Sequence, residues 1–402
     1  MTHPIVRLGD VAEFIRGITF KPDDVVPLDV EDAVVCMRTK NVQTLLECDD
    51  LLAVPSQFVR RADQYLSEGD ILVSSANSWN LVGKCCWVPA LPWRAAFGGF
   101  ISVLRGDESR VDKRYLYWWF SSGRIQTLLR SFGQKTTNIS NLNIERSLQL
   151  EIPLPPLPEQ RRIAAILDKA DALRTQRREA LAQLDRLAQA IFLEMFGDPV
   201  TNPKGWPLIE VGTVAEVQGG LQVTTARKSL PIEVPYLRVA NVYRGRLDLG
   251  EVKTIRATAA EAARTKLLPR DLLVVEGHGN PDEVGRVALW GGEIADCVHQ
   301  NHLIRVRFDA ATVVPAFACA YLNSPGGRQH LLRAGKTTSG LNTISVSNVR
   351  AVPMALPTYA AQTVYEAQIA EVDCLKARHK TAESEAHNLF ASLQHRAFRG
   401  EL

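Results

Sequence analysis

The chain has 402 residues, of which 46% are hydrophobic and 23% charged, and its formal net charge is +3. That length exceeds what one hydrophobic core usually supports, and the composition excludes fibrous and wholly disordered classes. The charge neither demands nucleic acid nor excludes it, because a local basic face can hide in a balanced total.

The amino-terminal MTHPIVRLGD has no basic stretch followed by an apolar one, and no apolar run approaches the ~20 residues needed to cross a bilayer. A cytoplasmic protein without membrane contact is expected. Seven cysteines (Cys36, Cys48, Cys85, Cys86, Cys297, Cys319 and Cys374) form no CxxC pair, so free thiols are expected.

Taken in chain order, the elements appear twice, about two hundred residues apart. VRLGDVAEFIRG at Val6 to Gly17 alternates into a glycine turn, as does WPLIEVGTVAEVQGG at Trp206 to Gly220. CMRTKNV, ending at Val42, corresponds to YLRVANV, ending at Val242. GDILVSSANSWNLVGKCCWV corresponds to RDLLVVEGHGNPDEVGRVALW, each reading as strand, polar loop, strand. GRIQTLLRSFGQKTT from Gly123 matches GGRQHLLRAGKTT from Gly326, and LPPLPEQ at Leu154 to Gln160 aligns with LPTYAAQ at Leu356 to Gln362.

A long helix is predicted after each of these last two segments. Pro158 and Glu159 suit a first helical turn, and Gly197, Asp198 and Pro199 stop the central helix after about 38 residues, on the order of 57 Å. Its apolar stripe is read as Ile163, Ile166, Ala170, Leu173, Ala180, Leu184, Leu187 and Ile191, with Arg177 and Glu194 as polar members. The second stripe is read as Tyr365, Gln368, Val372, Leu375, His379, Ala382, Ala386, Leu389 and Leu393. Helix pairing is assigned to Ile163, Ile166, Leu173, Leu184, Leu187 and Ile191 on one side and Val372, Leu375, Leu389 and Leu393 on the other.

The predicted fold class is α/β (α+β): two copies of one globule in a pseudo-twofold arrangement, separated by two long antiparallel coiled-coil helices. The boundaries are 1–153, 154–198, 199–355 and 356–402. Such a layout fixes the distance between two binding surfaces, and DNA is the ligand for which spacing matters most.

Catalytic motifs are poorly represented. An amino-methylating enzyme wants Asn-Pro-Pro-aromatic, and Asn280-Pro281-Asp282-Glu283 lacks the second proline and the ring. HLLRAGKT offers Gly335, Lys336 and Thr337 but has His330 where a P-loop needs its first glycine. His299 and His302 point to opposite faces of a strand, with no carboxylate pair to complete a metal site. LPPLP is read as a rigid elbow rather than a docking peptide, and YLYWWF at Tyr115 to Phe120 as core rather than a base-stacking platform.

The order of globule, LPPLPEQRRIAAIL helix, FGDPVTNPKGW junction, second globule and matching helix resembles the specificity (S) subunit of type I restriction-modification enzymes, over the whole chain. LPTYAAQTVYEAQI departs from the proline-rich form but keeps its place. The resemblance implies a non-catalytic subunit whose two target-recognition domains each read half of a bipartite, asymmetric site in double-stranded DNA. The paired helices would set the spacer and carry two methyltransferase (M) subunits, joined by ATP-dependent endonuclease (R) subunits. No cofactor would be bound by this chain; S-adenosylmethionine, ATP and magnesium would sit in the partners.

Arginine and lysine suit guanine edges, and asparagine and glutamine suit adenine. The DNA-binding candidates are therefore Arg38, Lys40, Asn41, Asn77, Trp79, Asn80 and Lys84 in the first globule, and Arg238, Asn241, Arg244, Arg246, His278, Asn280 and Arg286 in the second. Lys135, Thr136, Lys336 and Thr337 are candidates for phosphate contacts. A self-sufficient DNA-modifying enzyme and a scaffold binding only proteins are the competing classes.

Overall fold

The structure, a computed structural model, describes residues 3–135, 139–338 and 341–402. It divides into two compact units, residues 1–179 with 380–402, and residues 180–379. Contacts thus divide the chain differently from the four sequence segments, because each long helix contributes one half to each unit.

In the first unit a four-stranded antiparallel sheet has the order Ala12–Arg16, Ile101–Gly106, Ile71–Ser74, Cys85–Trp87. A second sheet places Ala33–Met37 between antiparallel Ala53–Pro55 and parallel Ala95–Phe97. Short strands Ala76–Asn77, Ser140–Asn141 and Gln134–Lys135 form a third, and Ile5–Arg7 with Glu151–Pro153 a fourth.

The second unit repeats every pairing. Its four-stranded sheet runs Ala215–Gly219, Leu303–Phe308, Leu272–Val275, Val287–Leu289. Ile232–Leu237 lies between antiparallel Lys253–Ala257 and parallel Val298–His299. Gly277–His278, Leu341–Thr343 and Lys336–Thr338 make the small sheet, and Leu208–Glu210 with Pro353–Ala355 the two-stranded one. The repetition read in the sequence is therefore a repetition of topology, and the class is mixed α and β.

The aromatic run is core. Tyr115 to Phe120 are all buried in helix Lys113–Phe120. Trp118 packs edge-on against Phe390 at 5.2 Å, and its Nε1 donates to Asp168 at 2.9 Å. In the second unit helix Pro315–Asn323 supplies Phe317, 4.8 Å from Phe196, and Tyr365 lies 5.3 Å from Phe196. Burying these rings seats both long helices on each globule.

The central helix spans Leu157–Phe196 and the C-terminal helix Tyr359–Ala397. In the first unit Arg174 lies 3.7 Å over the Phe390 ring; in the second Lys376 reaches Asp185 at 2.8 Å. Within each unit, early residues of one helix meet late residues of the other, so the segments run antiparallel. The seam is not the one read from the leucines. Ile163, Leu167, Ala170, Phe192 and Phe196 are buried on one helix, and Tyr365, Val372, Phe390 and Ala397 on the other. Ile166, Leu184, Ile191 and Leu393 are half-buried. Leu173, Leu187, Leu375 and Leu389 are 42–49% exposed, and their places are taken by Arg174, Ala188, Lys376 and Phe390. A heptad alternates steps of three and four, and the sequence alone does not say which comes first. Long cationic side chains can also occupy seam positions by laying their apolar stems along them.

The repeat also isolates one substitution. His299 pairs with Leu237 in the second unit where Phe97 pairs with Met37 in the first. His299 is fully buried with Nδ1 3.1 Å from the Thr265 carbonyl oxygen, and burial pushes its pKa down to about 4. A histidine whose folded pKa lies below its unfolded value contributes stability at neutral pH that is lost as pH falls from about 6.5 through about 4, roughly 3 kcal/mol in all. His299→Phe, copying the first unit, is expected to flatten that acid loss. Hydrogen exchange of strand 303–308 at pH 7.5 and pH 5 measures it, and an unchanged acid slope would contradict the assignment.

Candidate nucleic-acid interface

The polar loops sit on a frame held by identical backbone bonds. In the first unit Ser74 N–H donates to the Lys84 carbonyl (2.8 Å), Gly83 N–H to Ser74 (2.9 Å), Ser75 N–H to Phe100 (3.0 Å) and Leu142 N–H to Ser75 (2.8 Å). In the second, Val275 donates to Arg286 (3.0 Å), Gly285 to Val275, Glu276 to His302 and Ile344 to Glu276, these three at 2.9 Å. Gly83 and Gly285 close their loops with φ of +81° and +73°, a conformation open to glycine at low steric cost. Loop chemistry can therefore vary while its mounting stays constant.

The candidate residues separate into two groups on this frame. Asn41 and Asn241 are buried, and their amides are committed: each Oδ1 accepts from Arg38 or Arg238 N–H, and each Nδ2 donates to two carbonyls, Glu47 and Asp50 or Asp248 and Glu251. They brace a turn instead of presenting an adenine-reading edge. Arg286 is also buried, donating to Glu283 at 2.6 Å and the Val239 carbonyl at 3.0 Å. Arg38 and Arg238 are ion-paired to Asp50 (3.0 Å) and Glu251 (2.7 Å). One signal was available in the sequence: Arg-x-x-Asn recurs unchanged in both copies, whereas readers of unlike half-sites should differ.

The other candidates lie at the surface. Asn77 Nδ2 donates to Ser74 Oγ at 3.0 Å, Asn80 Oδ1 accepts from Ser78 Oγ at 2.8 Å, and Trp79 is 53% exposed. Lys84 Nζ meets Gln43 Oε1 at 2.5 Å, and Lys40 pairs with Asp50. In the second unit His278 Nδ1 accepts from Asn280 N–H at 3.0 Å, and Asn280 Oδ1 caps the turn Pro281–Glu283. Arg244 donates to the Asp282 carbonyl at 3.0 Å, and Arg246 covers Tyr243 at 4.2 Å. Thr136 lies outside the described residues, as do the side chains of Lys135, Lys336 and Thr337.

Sequence reasoning missed Gln43, the partner of Lys84, and Arg328, which donates to the same Asp282 carbonyl as Arg244. Gln43 belongs to no quoted motif, whereas Arg328 lies within the repeated GGRQHLLRAGKTT. Among the described residues no group of three or more His, Cys, Asp or Glu is placed to hold a metal, and no helix is long and apolar enough to cross a membrane.

Residues 4–183 match the family model of the type I restriction modification DNA specificity domain. The chain is 26% identical over 423 residues to the type I restriction enzyme EcoKI specificity subunit of Escherichia coli (strain K12), covering 99% of this chain and 89% of that one. It is 26% identical over 415 residues to the StySPI specificity subunit of Salmonella potsdam, covering 98% and 88%. The fold is shared with the type I restriction-modification S subunit from M. genitalium, at a TM-score of 0.56 and 14% identity over 98% of this chain and 96% of that one. A chain from a structure of type I R-M complex assembly and conformational transition gives 0.58 at 17% identity, covering 99% and 98%. With a specificity-domain match over residues 4–183 and similarity along nearly its whole length to curated specificity subunits, the chain is similar to the specificity subunits of type I restriction-modification enzymes.

Proposed function

We propose that each globule reads one half of a bipartite, asymmetric DNA site, that the helix pair sets the unread spacer, and that the chain itself is non-catalytic. The observation that carries this reading is the repeated frame with unlike loops: one mounting, used twice, bearing VSSANSWNLVGK in one copy and VVEGHGNPDEVGR in the other. Two small loop sets suffice by addition, since each base pair contributes about 1–3 kcal/mol of the roughly 4–10 kcal/mol that separates specific from non-specific binding. S-adenosylmethionine, ATP and magnesium belong, in this reading, to the partner subunits.

Docking of two methyltransferase subunits is supported by the leucines outside the seam. Leu173 and Leu389 flank the Arg174–Phe390 contact of the first unit, while Leu187 and Leu375 flank the Asp185–Lys376 contact of the second. Exposed leucines at matching places on both helix segments suit apolar contact with a partner. Methylation of a degenerate DNA library by the assembled complex is expected to return two unlike short motifs separated by unread bases; one uninterrupted motif would refute the reading. In the same complex, Leu173→Glu with Leu389→Glu is expected to remove one of two methyltransferase subunits by native mass, and retention of both would count against this docking surface.

A further inference from the structure

The repeat permits a comparison of the two reading surfaces station by station, because the same backbone bonds hold both. Ser75 and Glu276 occupy one station, each donating its N–H to the residue at a second station, Phe100 and His302. Asn77 and His278 occupy a third: Asn77 faces Ser140 across the small sheet, and His278 faces Asn342. The first unit places serine, phenylalanine and asparagine at these three stations; the second places glutamate, histidine and histidine. Ionisable chemistry enters only in the second copy.

Glu276 is the unusual member. Its side chain is 27% exposed, with His302 Nδ1 at 3.3 Å from Oε2, yet that nitrogen has no aligned hydrogen-bond partner among the described residues. Burial raises the Glu276 pKa, so the fold disfavours its charge. A carboxylate on a surface that approaches phosphates is also repelled by them. Both costs are offset by one DNA feature, a base donor: the exocyclic amino group of cytosine N4 or adenine N6 in the major groove. At the equivalent station Ser75 carries no charge, and the neighbouring Phe100 is 63% exposed, suited to apolar contact with a thymine methyl group.

We propose that Glu276, whose carboxylate lies beside His302, accepts a hydrogen bond from the exocyclic amino group of one base in the second half-site and restricts that position to an amino-bearing base. The inference rests on the two-half-site reading above and adds the chemistry of one position.

The test uses the assembled complex with its methyltransferase subunits and a degenerate DNA library. Wild type is expected to show one second-half position confined to cytosine or adenine on one strand. Glu276→Ala is expected to reduce that preference roughly 5- to 150-fold, the equivalent of about 1–3 kcal/mol, leaving the first-half motif as an internal control. Glu276→Gln keeps one acceptor oxygen for an exocyclic amino group and adds a donor that pairs with adenine N7, so an adenine preference is expected to be kept or strengthened and a cytosine preference to weaken or shift toward adenine. An unchanged second-half motif in Glu276→Ala overturns the proposal. If Glu276→Ala loses all methylation, Glu276→Gln decides: loss of all methylation there too makes the residue structural and overturns the proposal, whereas methylation with adenine kept or gained at one second-half position supports it. If wild type itself returns no bipartite motif, the two-half-site reading fails rather than this assignment.

Discussion

Replacing Gln160 with alanine is expected to destabilise the first unit by about 3–5 kcal/mol, more than any surface change in the recognition loops. Gln160 is fully buried at the start of the central helix. Its Oε1 accepts from Asp112 N–H at 2.8 Å, at the cap of helix Lys113–Phe120, and its Nε2 donates to the carbonyls of Pro155 (2.8 Å) and Arg110 (3.1 Å). Truncation removes the partner of three backbone groups, the buried Pro155 carbonyl and the part-buried Asp112 N–H and Arg110 carbonyl, at up to about 1–3 kcal/mol each, and opens a cavity. Gln362 repeats the arrangement in the second unit, accepting from Val314 N–H at 2.8 Å and donating to Pro357 (2.9 Å) and Thr312 (3.4 Å). This accounts for the glutamine shared by LPPLPEQ and LPTYAAQ together with the first proline, Pro155 or Pro357, whose carbonyl it bonds, when the later prolines are not shared: the side chain fastens the helix start to the globule. Hydrogen exchange should show helix 113–120 deprotected in Gln160→Ala and helix 315–323 deprotected in Gln362→Ala, each without the other. Full protection in both variants would show that packing of the aromatic rings alone seats the helices.

A one-turn insertion in both long helices should widen the gap between the two half-sites while leaving both motifs unchanged. Four residues added after Ala180 in the central helix, and four near Thr381 in the C-terminal helix, lengthen each helix by ~6 Å. That is about one to two base-pair steps of ~3.4 Å. Because four residues exceed one helical turn only slightly, the seam rotates modestly and absorbs the insertion as a stutter. Methylation mapping of the variant complex measures the gap directly. Full activity at the original gap would mean that something other than these helices sets the spacer.

Much of the architecture was legible before any coordinates. Gly197, Asp198 and Pro199 marked the end of the central helix where it stops, at Phe196, and its start at Leu157 lies one residue from the position read from Pro158. Aligned strings of about two hundred residues' separation became matching sheets with matching registers. His299 and His302 do separate, one fully buried and the other 42% exposed on its side chain, but across a turn between strands Val298–His299 and Leu303–Phe308 and not by alternation along one strand. These features are local or periodic, and each depends on a few neighbouring residues.

The reading of individual polar residues fared differently. Asn41, Asn241 and Arg286 looked like base readers because a buried, satisfied amide or guanidinium has the same letter as an exposed one. Leu173, Leu187, Leu375 and Leu389 looked like seam residues because leucine is the commonest seam residue, whereas the second helix's own side chains chose the register. The amino-acid sequence by itself determined the duplication, the mixed α and β class and the two long helices, since periodicity, caps and turn residues act over short stretches of chain. Only tertiary structure decided which side chains brace the loops and which face outward, because that depends on partners dozens to hundreds of residues away whose proximity no local pattern records.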